Sequence, residues 1–167
     1  AATVWTELAD VTIGAQGQLS SGVFAAHDML DVWICGANST AQNTAVTFNN
    51  SAAADYKNQQ MVDGVFAANA GNNEIPIYGG NIQDEPFFIH LSIWNLPMAS
   101  SPGPPVGSIG YTWNAVNFDS SFNNAIASIG WGKYFSGNAV TQIDKSQYGS
   151  VLLDQNAGAR IVVLGAN

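Results

Sequence analysis

This sequence predicts an all-β fold: a jelly-roll-like antiparallel β-sandwich of about ten short strands, with at most one short helix. Residues 1–167 read as a single domain. Apolar residues recur with period two in short runs, the pattern of strands with one buried face. Gly, Asn, Ser and Pro separate the runs, and these are the residues that turns use. Eight Phe, five Trp and five Tyr within 47% hydrophobic content supply a core. A chain of this length buries about 70% of its unfolded surface without a staple.

Trp5 to Ile13 and Leu19 to Phe24 read as strands flanking a Gly14–Gly17 turn. Leu30, Val32 and Ile34 then alternate with Asp31 and Trp33, which makes neighbouring Cys35 a buried strand residue. Val46 and Phe48 alternate with Thr47, and Met61 to Phe66 alternates throughout. Asn69 to Glu74 reads as a solvated polar loop. Pro76 places Ile75–Tyr78 at an edge or strand end. Phe87 to Trp94 is the clearest strand: Phe87, Ile89, Leu91 and Ile93 share the core face, and Phe88, His90, Ser92 and Trp94 the other. Ser100 to Pro105 is a proline-stiffened loop. Ile109–Val116, Ala139–Ile143, Val151–Leu153 and Ile161–Leu164 follow as strands. Phe118, Phe122, Ala125, Ile126 and Ile129 have helical spacing, while Ala125–Trp131 also alternates as a strand. The reading adopted is a helical turn before Asn124 and a strand after it.

Charge is scarce. Only 10% of residues are ionic, the four bases are Lys57, Lys133, Lys145 and Arg160, and the formal net charge is −8. An ordinary domain carries about 25% charged residues. Four scattered bases form no phosphate track, so direct nucleic-acid binding and adhesion to an anionic membrane are not expected. No apolar run approaches the roughly 20 residues of a membrane helix. Ala1–Val4 lacks a signal peptide's regions. A surface so thinly ionised suits a subunit covered by neighbours.

Catalytic and metal-binding patterns are not found. His27 sits in a turn sequence and His90 alternates with apolar residues, so neither pairs with a nucleophile elbow. Both read as structural or interface histidines. Glu7, Glu74, Asp84 and Glu85 offer carboxylates without a paired arrangement. Cys35, the single cysteine, excludes an internal disulfide. No cofactor motif occurs. Asn38-Ser39-Thr40 and Asn49-Asn50-Ser51 match the glycosylation pattern, read as coincidence in a chain rich in Asn, Ser and Thr. The tryptophans and tyrosines read as core or interface, with a sugar platform as the other use.

Trp5-Thr6-Glu7-Leu8-Ala9, Leu30-Asp31-Val32-Trp33-Ile34, Phe48-Asn49-Asn50-Ser51 with Tyr56, Pro86-Phe87-Phe88-Ile89, Gly132-Lys133-Tyr134, Gln142-Ile143-Asp144 and Ile161-Val162-Val163-Leu164-Gly165 follow one another in an order that resembles a family of bacterial-virus structural proteins. The resemblance runs from Trp5 to Gly165, with Pro97–Asn124 departing from it. It implies a β-sandwich virion component, on capsid or tail, without catalytic residues. With the acidic charge, the expectation is a non-enzymatic capsid decoration, or cement, protein on the outer surface of a viral shell. It would be made in the host cytoplasm and assemble as a trimer. Its partners would be the major capsid protein or other virion subunits. The alternative is a tail-associated adhesin or carbohydrate-binding module with a glycan ligand. The expected contact residues are Phe88, Trp94, Pro102, Pro104, Pro105, Trp113, Trp131 and Tyr134.

Overall fold

Eleven strands and no helix make up the described part of the chain in the computed structural model, which covers residues 4–39, 44–51, 53–77, 86–98, 108–118, 125–147 and 155–167. The strands are β1 (Thr6–Thr12), β2 (Met29–Ala37), β3 (Thr44–Phe48), β4 (Tyr56–Val62), β5 (Val65–Asn72), β6 (Ile75–Ile77), β7 (Pro86–Met98), β8 (Ser108–Phe118), β9 (Ala125–Tyr134), β10 (Ile143–Gln147) and β11 (Arg160–Ala166). Every pairing is antiparallel. The order is β1-β11-β2-β7-β8-β9-β4-β5 in an eight-stranded sheet and β10-β3-β6 in a three-stranded one.

The alternation read from the sequence builds the core. Leu30, Val32 and Ile34 of β2, with Phe87, Ile89, Leu91 and Ile93 of β7, are at most 3% exposed. Phe48 of the small sheet meets Tyr111 and Tyr134 of the large one edge-on, at 5.4 and 5.5 Å. Tyr56 Oη accepts from the Phe48 amide at 2.6 Å. Both sheets thus contribute to one apolar cluster, the arrangement of a β-sandwich. Burial raises the Tyr56 and Tyr111 hydroxyls above the ordinary phenol range. Pro76 sits in β6, the edge strand of the small sheet, as expected for a residue without an amide donor.

Several expectations change. Met61–Phe66 is not one strand: Asp63 and Gly64, at φ 46° and 82°, form the two-residue turn of the β4–β5 hairpin. Asp-Gly with both φ positive is the turn whose twist fits a tight hairpin. Gly64→Ala is expected to destabilise by about 1 kcal/mol, measured as a lower denaturant midpoint at unchanged slope. Asn69–Asn72 belongs to β5, and Glu74 after it is 8% exposed, so this stretch is not a solvated loop. Cys35 is exposed, because it shares parity with Trp33 and not with Ile34.

Leu19–Phe24 is no regular strand, yet it runs beside β10. Lys145 donates its amide to Leu19, Ser21 to Ile143 and Phe24 to Thr141, at 2.8–3.0 Å. The strand expected from Ala139 begins only at Ile143, because side chains occupy the backbone groups before it. Asn49 Oδ1 accepts from the amides of Thr141 and Gln142, and its Nδ2 donates to the Ala139 carbonyl. Asn95 holds Val140 through both its amide and its carbonyl. From Ala125 onward the strand reading holds. The expected helical turn before Asn124, the Val151–Leu153 strand and the proline loop lie outside the described residues.

Candidate functional site

Strand parity sorts the aromatic residues between two faces. On the inner face of the large sheet, Trp113 and Tyr134 are each 1% exposed. This corrects their expected role as contact residues. The Trp113 indole fills the space above Gly130, where an added Cβ would stand 2.1 Å from Cζ2. Tyr134 packs on Tyr56 at 4.9 Å. Pro102, Pro104 and Pro105 lie outside the described residues.

Phe88, Trp94 and Trp131 do face outward, at 40%, 49% and 45% exposure. The ladder sets His90 and Trp33 beside residues that the sequence reading did not single out. Val162, Trp33, His90, Asn114, Ile129, Met61 and Phe66 pair in succession from β11 to β5. They form one transverse row along the outer face, and Trp33, Ile129, Met61 and Phe66 in it are exposed. What the sequence lacks is strand register, which puts these separated residues side by side.

Asp31 organises one end of this face. Its Oδ2 accepts from Trp33 Nε1 at 2.9 Å, and its Oδ1 lies 2.5 Å from His90 Nε2. The Trp33 and His90 rings stack at 4.0 Å and 19°, and Phe88 tilts against Trp33 at 5.4 Å. One carboxylate therefore fixes two rings as a flat surface. Nothing in this trio presents a nucleophile, so it is a positioned contact and not a triad.

At the other end, Trp94 lies over Gly110, whose absent Cβ would be 3.6 Å from the indole. Gly110 pairs with Lys133, and Lys133 with Lys57. Lys57 Nζ stands 5.3 Å from the Phe135 ring centroid. Trp131 donates Nε1 to Gln59 at 3.0 Å and leans toward Phe66. Trp94 and Trp131 are two strands apart and two residues apart along them, about 12 Å, with Gly110 and Thr112 between them as a low floor.

Three of the four bases, Lys57, Lys133 and Arg160, reach this outer face, as do Glu7, Asp10 and Asp31. Arg160 grips Asp10 with two hydrogen bonds of 2.7 and 2.5 Å. Those bonds hold the Asp10 carboxyl below the usual carboxylate range and raise the guanidinium. Among the described residues, these three bases balance these three acids on this face.

Both asparagines of the glycosylation patterns have their side-chain amides hydrogen-bonded. Asn38 is 3% exposed, and the Asn49 amide is engaged with residues 139–142. His27 is a backbone anchor, its carbonyl accepting from Asn95 Nδ2 at 2.9 Å. Among the described residues no group of three His, Cys, Asp or Glu is placed to hold a metal ion. No protein-family model, curated protein or solved structure matches the chain.

Proposed function

We propose that the chain is a non-enzymatic structural subunit of a virion, a capsid decoration protein that attaches through the outer face of its eight-stranded sheet. The carrying observation is that face: a broad antiparallel surface with Trp33, Phe88, Trp94 and Trp131 between 38% and 49% exposed. Exposed apolar patches of this extent mark interaction sites, and tryptophan is favoured at interface hot spots. The sequence resemblance supplies the virion context, and the net acidity of the chain favours the outside of a shell over its genome-lined inside.

The energetics favour a repeated contact. An aromatic side chain presents about 200 Å², so covering these four removes roughly 350 Å² from water, worth about 9 kcal/mol. Association itself costs roughly 4–15 kcal/mol. One such contact is marginal, whereas a trimer engaging several shell subunits gains avidity without stronger individual contacts.

Trp94→Ala with Trp131→Ala is expected to weaken attachment to shells at least tenfold, read by co-sedimentation with particles, while thermal unfolding of the subunit stays nearly unchanged. Cys35 gives a second readout. Its thiol is exposed beside Phe88 on this face, so alkylation should be fast in the free subunit and slow on particles. Equal attachment by the double variant, with equal alkylation in both states, would remove the assignment.

A second reading has its own observation. Two exposed tryptophans flanking a Gly110–Thr112 floor match the layout of a sugar platform on a tail adhesin. It predicts quenching of tryptophan fluorescence by host-surface glycans, lost in Trp94→Ala.

A further inference from the structure

The fourth base is placed unlike the others. Lys145, on β10, is 3% exposed and points into the sandwich. Its Nζ donates to Asn38 Oδ1 at 2.7 Å and stands 4.5 Å from the Phe87 ring centroid. The only ion pairs among the described residues are those of Asp31 with His90 and Asp10 with Arg160, so Lys145 has no carboxylate beside it there. A charged amine enclosed this way is costly. Burial accordingly brings its pKa from 10.5 down to about 7. A lysine amine without its proton carries a free lone pair and is a nucleophile.

The group it touches is a carboxamide, whose carbonyl carbon is a weak electrophile that depends on proximity to react. Asn38 follows β2 in the large sheet, and its Nδ2 donates to Thr44 Oγ1 of β3 at 3.3 Å. With a C=O bond of about 1.23 Å, an amine 2.7 Å from Oδ1 lies no more than about 4 Å from Cγ. That is close to the separation of roughly 3–3.5 Å at which held groups react, where effective molarities reach about 10⁵–10⁸ M.

We propose that Lys145 and Asn38 join in an intramolecular isopeptide bond, a covalent rivet between the two sheets. The Nζ lone pair forms a bond to Cγ, and the carbonyl electrons move to Oδ1. One Nζ proton passes to Nδ2, with the Thr44 hydroxyl as relay. The Cγ–Nδ2 bond then breaks and ammonia leaves. The product is a neutral secondary amide, so the buried amine no longer needs a counter-ion. The bond spans a sequence separation of 107 residues, and a link across so long a loop strongly restricts the unfolded chain. This inference does not rest on the virion reading, although a particle subject to internal pressure would benefit from such a rivet.

Intact mass of the purified full chain decides the matter. The expected value is lower than that encoded by one ammonia, about 17 Da, the leaving group of the acyl transfer. A cyclised asparagine also loses ammonia, so the peptide map is the second arm. Trypsin cannot cut after an acylated Lys145, and residues 1–57 should appear joined to residues 134–160. Asn38→Ala and Lys145→Arg should each restore the encoded mass, and Thr44→Val should slow the loss in freshly made protein. The encoded mass with normal cleavage after Lys145 would overturn the proposal.

A pH titration of stability gives an independent reading. A free amine with a native pKa of about 7 against about 10.4 when unfolded binds fewer protons in the native state between those values. Stability would then climb as pH rises from about 7 to 10. The riveted chain has no such amine and should lack this rise. A rise that disappears in Lys145→Met would also refute the bond.

Discussion

Asn95→Ala will lower the unfolding free energy by about 4 kcal/mol. Asn95 is 2% exposed and follows Trp94 on β7, where the ladder to β8 becomes irregular. Its Nδ2 donates to the carbonyls of His27 and Val140, both at 2.9 Å, and its Oδ1 accepts from the Val140 amide at 2.6 Å. Its own amide donates to Asp28 at 2.8 Å. One side chain thus satisfies three backbone groups in two segments that are not regular strands. Alanine leaves these groups without partners, at about 1–3 kcal/mol for each that stays buried, and partial relaxation toward water sets the smaller total. Urea denaturation followed by fluorescence measures it. A loss below about 1 kcal/mol would mean that residues 139–142 are held by something other than Asn95.

The second large effect is expected at Gly130. Gly130→Ala should destabilise by about 3 kcal/mol or more. The added methyl would stand 2.1 Å from Cζ2 and 2.3 Å from Cη2 of Trp113, inside the indole. Trp113 is 1% exposed, and a rigid buried ring has little room to turn. A double-mutant cycle isolates the clash: Trp113→Leu in the Gly130→Ala background should be far less damaging than in the native background. Additive effects would mean that glycine serves the β9 backbone and not the ring.

These two sites mark what residue types alone convey. The alternation at Phe87–Trp94 is legible because both faces of one long strand obey it, and the structure places Phe88 and Trp94 outside as expected. Met61–Phe66 misleads because a two-residue hairpin turn preserves the alternation on either side, and only Asp63-Gly64 betrays it. Trp113 and Trp131 are the same residue type in similar apolar surroundings. Parity within β8 and β9 buries the first and exposes the second, and glycine at 130 records the difference. Residues 139–142 have the composition of a strand but bond to Asn49 and Asn95, which are 90 and 45 residues away from their partners in sequence. Such side-chain anchors carry no periodic signal. The row from Trp33 to Phe66 was hidden for a related reason, since it exists only once six strands are in register.

The charge balance of the outer sheet face, among the described residues, has a kinetic consequence. Two copies, each net acidic, repel in most relative orientations. They approach freely only when one presents that balanced surface. The effect extends over the roughly 8 Å screening distance of physiological salt, so wrong encounters are rejected before contact. Added salt should therefore relax orientation, quickening adventitious clumping more than correct docking.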